Sequence, residues 1–250
     1  MKKTGKILVV GGLHGDESSG VDLVRKLRED SPRNITVVVG NPGAIEKNVR
    51  FLETDMNRSF LTEIPVSIEE KTAADLKGII LDHDVVIDVH NTKAEGTTCA
   101  ITVCNPKEFH LGIASHFGFT KLVIMPPSGS MISVCPDRAI SLEIETGRRR
   151  EFSTAYLMEK IKTLGSKVDE KKQLEIYRFI NRVPRNTLVR LDIDLMRLTN
   201  FQKLPRDILE KLGLSPEHDY YPIFFKSHEK EEVAFTLVKY VGARYITSVK

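Results

Sequence analysis

The chain has 250 residues, 41% hydrophobic and 28% charged, with 37 Lys and Arg against 34 Asp and Glu for a net charge of +3. That is the make-up of a globular protein with one substantial core. A charge so near zero, with no nucleic-acid-binding motif, excludes the basic footprint of an RNA or DNA partner. No apolar run approaches the roughly 20 residues that cross a bilayer. The apolar run that opens the chain stops at Gly11-Gly12 without the pattern of a signal peptide, so the expectation is a cytoplasmic protein with no membrane partner. Cys99, Cys104 and Cys135 are odd in number and form no CxxC pair. They read as small buried hydrophobes rather than a disulfide framework or a cysteine zinc site.

In chain order, "KILVVGG" predicts a strand over 6–12, and Val21, Leu23, Val24 and Leu27 fall at helical spacing over 17–29. "NITVVVG" predicts a second strand over 34–40, followed by a long irregular stretch, 41–65. Over 67–81 the sequence predicts a helix with Ser67 as N-cap and Glu70 completing a capping box. Strands at 84–90, 97–104, 121–126 and 139–147 follow, with helices around 107–117 and 152–164. Strands alternating with helices predict a three-layer α/β/α sandwich around a central mixed, largely parallel sheet. Beyond that, the sequence predicts a helix at 168–182 and short strand-like pieces, "TLVRLDIDLMRL", "YYPIFF", "EVAFTLVKYV" and "ARYITSV". The expected division is an α/β domain over 1–183 and a small β-rich C-terminal domain over 184–250.

In open α/β sheets, ligands bind at the carboxyl ends of the strands. His14 and Glu17 follow the first strand, His90 ends "VVIDVH", and Glu145 lies near the end of "SLEIETG". Two His and one Glu are a known catalytic zinc set with one position left for water. His-x-x-Glu by itself equally fits two solvated side chains at a helix start. Asp88, two residues before His90 on one strand face, either orients the His90 ring or is an ordinary strand-end carboxylate. His83, His110, His116, His218 and His228 lack such context and read as structural. The irregular stretch holds Arg50, Asp55, Asn57 and Arg58. Two arginines and an asparagine suit an anionic substrate, because guanidinium binds carboxylate in bidentate fashion. On composition alone a polar surface loop with two exposed arginines is the favoured reading.

Four blocks, "GGLHGDE", "NPGAIEKNVRFLETDMNRSF", "DVHNT" and "EIETG", resemble in order and approximate spacing the aspartoacylase/succinylglutamate desuccinylase family, which is related to the zinc carboxypeptidases. The match covers roughly residues 6 to 147, and "YYPIFF" and "EVAFTLVKY" extend it weakly. The resemblance implies a zinc-carboxypeptidase-like fold and one Zn2+ per chain held by His14, Glu17 and His90. It implies a zinc-dependent hydrolase cleaving the amide of a small anionic N-acyl amino acid, of acetyl or succinyl type. Glu145, one residue before the closing x-Gly, takes the role of general base. By the same resemblance Arg50 is expected to stabilise the oxyanion, and Asn57 and Arg58 to bind the substrate carboxylate. Arg138, or one of Arg148, Arg149 and Arg150, takes a second carboxylate. Two features depart from the family. Glu143 is a second carboxylate on the face of Glu145, and "KSHEKEE" replaces the segment that should hold a tyrosine near the leaving group. The same residues would also serve a carboxypeptidase acting on a peptide C-terminus, or a metal-binding protein without turnover.

Overall fold

A computed structural model describes residues 5–30, 32–145, 152–165, 172–225 and 232–246. In chain order the elements are β1 (Ile7–Gly11), α1 (Ser18–Glu29), β2 (Ile35–Val39), α2 (Pro42–Glu46), α3 (Ile68–Leu81), β3 (Val85–Thr92), β4 (Cys99–Thr102) and α4 (Glu108–His116). They continue with β5 (Lys121–Ile124), β6 (Ala139–Glu145), α5 (Thr154–Lys162), β7 (Lys172–Pro184), α6 (Arg185–Arg190), α7 (Arg206–Lys211), β8 (Tyr220–Ile223) and β9 (Val233–Ile246). The strands form one sheet in the order β2-β1-β3-β6-β4-β5-β7-β9-β8. The strands β2, β1, β3 and β6 are mutually parallel. At β4 the direction reverses, and β4, β5 and β7 run parallel to one another. Strands β9 and β8 are added antiparallel.

Successive strand residues point to opposite faces, and here each face has its own core. Ile7 and Val9 of β1, Ile87 and Val89 of β3, and Ile140, Leu142 and Ile144 of β6 join Leu23 and Leu27 of α1, Leu111 of α4, and Leu157 and Ile161 of α5. Leu8, Val10 and Val86 point the other way, onto Leu76 and Ile80 of α3 and onto Met56 and Phe60. This is the three-layer sandwich that the alternating pattern predicts. The α3 capping box is present: the Glu70 amide donates to Ser67 Oγ, and Glu70 Oε2 accepts from the Ser67 amide. Among the described residues no helix is long and apolar enough to cross a membrane.

Three expectations change. The stretch 41–65 holds the short helix α2, capped by Asn41, and a 3-10 turn over Met56–Arg58. Residues 172–184 form the long strand β7, not a helix. Ile176, Phe179, Ile180 and Val183 sit at i, i+3, i+4 and i+7, which mimics helical period. The mimicry comes from irregularities in the β7–β9 ladder after Ile176, Phe179 and Val183, each of which breaks strict alternation. The "TLVRLDIDLMRL" piece contributes α6 and a 3-10 turn, while "EVAFTLVKYV" and "ARYITSV" fuse into β9. A third apolar cluster, including Leu188, Ile193, Leu204, Ile208 and Phe235, lies within residues 183–237, packed beside the same sheet.

Candidate metal centre and substrate cavity

The turn after β1 is set by glycines. Gly12 has φ +74, a conformation that side-chain-bearing residues rarely adopt. Gly15 approaches the α2 backbone so closely that a Cβ would lie 2.2 Å from the Ala44 carbonyl carbon and oxygen, and its amide donates to Arg50 O at 3.2 Å. The His14 turn and the arginine segment are therefore built against each other. Gly15→Ala is expected to force them apart, costing on the order of 1–3 kcal/mol in urea unfolding.

On this scaffold His14, Glu17 and His90 converge, with one potential ligand atom from each lying within 4.8 Å of the others. Their exposures are 3%, 6% and 2%, so each charge depends on its neighbours rather than on water. His14 Nδ1 lies 2.6 Å from Glu17 Oε1, and His90 Nδ1 lies 3.0 Å from Glu17 Oε2. The opposite nitrogens face carboxylates: His14 Nε2 is 3.0 Å from Asp55 Oδ1, and His90 Nε2 is 2.7 Å from Asp88 Oδ2. A ring that offers one nitrogen to a shared centre while an outer carboxylate fixes the other is the arrangement of metal-binding histidines. The residues thus fit a divalent metal with N and O preference.

Burial alone would raise the Glu17 carboxyl, but His90 and His14 outweigh it and hold it well below the usual range. Asp55 is held down in the same way by His14, Arg50 and Arg58, against its own burial. Burial would lower both imidazoles, yet Asp55 and Glu17 raise His14, and Asp88 and Glu17 raise His90 strongly.

His14, Glu17 and His90 all line a cavity of about 350 Å³, a size that suits a small molecule. Arg50, Asn57 and Arg58 all line it. The Arg50 guanidinium lies 3.8 Å from Glu17 Oε1 and 3.6 Å from Asp55 Oδ2. Asn57 Oδ1 accepts from the Met131 amide at 3.0 Å, and its Nδ2 lies 3.3 Å from His90 Nε2. The loop bearing these groups is held by Glu69, which is fully buried on α3. Its oxygens accept from Asn41 Nδ2 and from the amides of Leu52, Glu53 and Thr54.

Glu145 and Arg138 are not brought into the cavity lining, although Thr92, the register partner of Glu145, is. The Glu145 carboxylate accepts from the Gly96 amide at 2.8 Å. The carboxylate that β6 sends into the cavity is Glu143, whose backbone pairs with His90 across the β3–β6 ladder. Burial raises the Glu143 carboxyl above its ordinary value of 4.5, with Glu17 and Asp88 adding to the rise and His90 opposing it. Arg138 immediately precedes β6, at the amino end of the strand, and donates to Leu81 O at 2.9 Å. It is at the far end of the strand from Glu143 and lines no part of the cavity. Arg148, Arg149, Arg150 and the "KSHEKE" part of the departing segment lie outside the described residues. Lys93 and Arg182 supply two further cations at the cavity, both exposed.

Of the histidines read as structural, His83 is held by Ile79 O, His110 by Pro136 O and His116 by Lys160 O, while His218 lies edge-on to the Tyr220 ring. His228 lies outside the described residues. All three cysteines are free.

The mixed, largely parallel sheet and the buried His–Glu–His group define an α/β sandwich with a candidate metal centre. The sequence matches the family described as succinylglutamate desuccinylase/aspartoacylase catalytic domain over residues 3–162. The chain belongs to that family. It is 36% identical over 110 residues to a probable aspartoacylase of Nostoc sp., across 38% of this chain and 37% of that protein. It is 31% identical over 129 residues to an N-acyl-aromatic-L-amino acid amidohydrolase (carboxylate-forming) of Xenopus laevis, across 44% of this chain and 42% of that protein. These matches thus span less than half of each curated relative. The fold resembles murine aminoacylase 3 with a TM-score of 0.71 and 21% identity, covering 97% of both chains. It also resembles the succinylglutamate desuccinylase of Chromobacterium violaceum, with a TM-score of 0.72 and 19% identity, covering 94% of this chain and 84% of that one.

Proposed function

We propose that this protein is a zinc-dependent hydrolase that cleaves the amide bond of a small N-acyl amino acid. The observation that carries the reading is the convergence of His14, Glu17, His90, Glu143, Arg50, Asn57 and Arg58 on one cavity. His14, Glu17 and His90 would hold the metal. When bound, zinc supplies Lewis acidity and lowers the pKa of water toward ~7. Glu143 is placed to take a proton from the attacking water and to return it to the leaving amine, and its raised pKa suits that exchange. Arg50 meets the negative charge that develops on the scissile carbonyl oxygen. Asn57 and Arg58 receive the substrate carboxylate and set the amide against the centre. Asp55 and Asp88 hold the two imidazoles in orientation. The aspartoacylase and amidohydrolase relatives support an acyl-amino acid substrate. The short apolar runs and free cysteines support a cytoplasmic setting.

Amine release from acetyl- and succinyl-amino acids, with a dipeptide alongside, tests the reading. Turnover of at least one acyl-amino acid is expected, abolished by a chelator and restored by added zinc. A chelator-insensitive rate, or release only from the dipeptide, would contradict it.

A further inference from the structure

Phe224 lines the cavity, and its backbone holds φ +57, a left-handed conformation that a bulky side chain rarely adopts. Phe201 holds φ +55. Such torsions persist only where the surroundings over-determine them. Asn200 supplies much of that hold. Its Oδ1 accepts from the Phe225 amide at 2.7 Å, and its Nδ2 donates to Phe225 O at 3.2 Å. The side chain thus exchanges two bonds with Phe225, as a neighbouring strand residue would. The Phe201 amide donates to Pro222 O at 2.9 Å and ties the next residue to β8.

Asn200 Nδ2 also donates to Glu95 O at 2.8 Å. Glu95 lies in the 93–98 turn, which continues β3 past His90 and Thr92. In the same turn Gly96 has φ +76 and lies against Asn200, whose backbone oxygen and Cβ would stand 3.8 and 3.9 Å from a Cβ built there. An asparagine amide offers two N–H donors and one carbonyl oxygen. Here its donations and its acceptance go to main-chain atoms of two segments far apart in sequence. Asn200 therefore sets the backbone around Phe224 against the strand that carries His90. Asn200 itself is not among the residues that line the cavity.

We propose that Asn200 is a positioning residue that fixes Phe224 in the cavity wall. Its consequence for turnover rests on the hydrolase reading above; its hold on Phe224 does not. The chain has no tryptophan, so Phe224→Trp places a single emitter at the cavity. Tyr156→Trp places one on α5, against the opposite core of the sheet. Asn200→Ala is expected to red-shift the emission at 224 and open it to acrylamide quenching, and to leave the emission at 156 unchanged. Asn200→Asp keeps an acceptor for the Phe225 amide and loses the donation to Glu95 O, so it moves the emission at 224 the same way where Asn200→Ala does not fold. In kinetics on the best acyl-amino acid, Asn200→Ala is expected to lower kcat/KM about tenfold, chiefly through KM, with metal content unchanged. In a Phe224→Ala background the same substitution adds little, because the group it positions is gone. Emission at 224 that neither substitution moves, or that moves equally at 156, overturns the proposal, as does full additivity of the two alanine substitutions. If the wild type hydrolyses no acyl-amino acid, the hydrolase reading falls, and the pair of emitters still decides whether Asn200 holds Phe224.

Discussion

Replacing Glu143 with Gln is expected to cut turnover of the best acyl-amino acid by about 10²–10⁴-fold, with the metal content unchanged. Glutamine keeps the size and the polar contacts of the side chain but takes no proton. Glu145→Gln is expected to retain most of the wild-type rate, because an amide oxygen still accepts from the Gly96 amide. The two variants differ by one step along one strand face, so the contrast isolates position rather than chemistry. Steady-state kinetics on purified variants, with metal measured on the same samples, gives the answer. A Glu145→Gln enzyme that is dead beside an active Glu143→Gln enzyme would return the role of base to Glu145.

The second large effect belongs to His90. His90→Ala takes away one of the three proposed metal donors, which would leave Glu17 and His14 to hold the ion with Asp88 buried and unpaired. Turnover is expected to fall to the assay background. Asp88→Asn, which keeps the donor set and changes only the charge behind His90, is expected to weaken metal affinity by about 10–100-fold. Competition with a chromogenic chelator reads both. Equal metal affinity in wild type and Asp88→Asn would mean that the carboxylate does not tune the ring.

Much of this was legible in the sequence, and the exceptions have physical reasons. Strand-ending residues announced themselves: His14, Glu17 and His90 follow apolar runs, and the rule that ligands sit at carboxyl strand ends put them together. The same rule argues against Arg138, since a residue that precedes a strand lies at its amino end. Glu143 and Glu145 were inseparable by alternation alone, because both face the same side of β6. What distinguishes them is the 93–98 turn, whose Gly96 amide takes the Glu145 carboxylate. Asp55 and Glu69 act across long sequence separations, Asp55 on His14 and Glu69 on the 52–54 backbone, and no local pattern reports such pairings. Arg182 was hidden because irregularities in the β7 ladder gave its strand a helical period, so its place in the cavity lining was not visible in the pattern.

The central claim is that two histidines and a glutamate, 73 residues apart between Glu17 and His90, form one metal site. Plasma mass spectrometry of the purified protein, wild type beside His90→Ala, tests it most directly. The account predicts close to one zinc per chain in the wild type and its loss in the variant. No bound metal in either, even after zinc is added back, would contradict it.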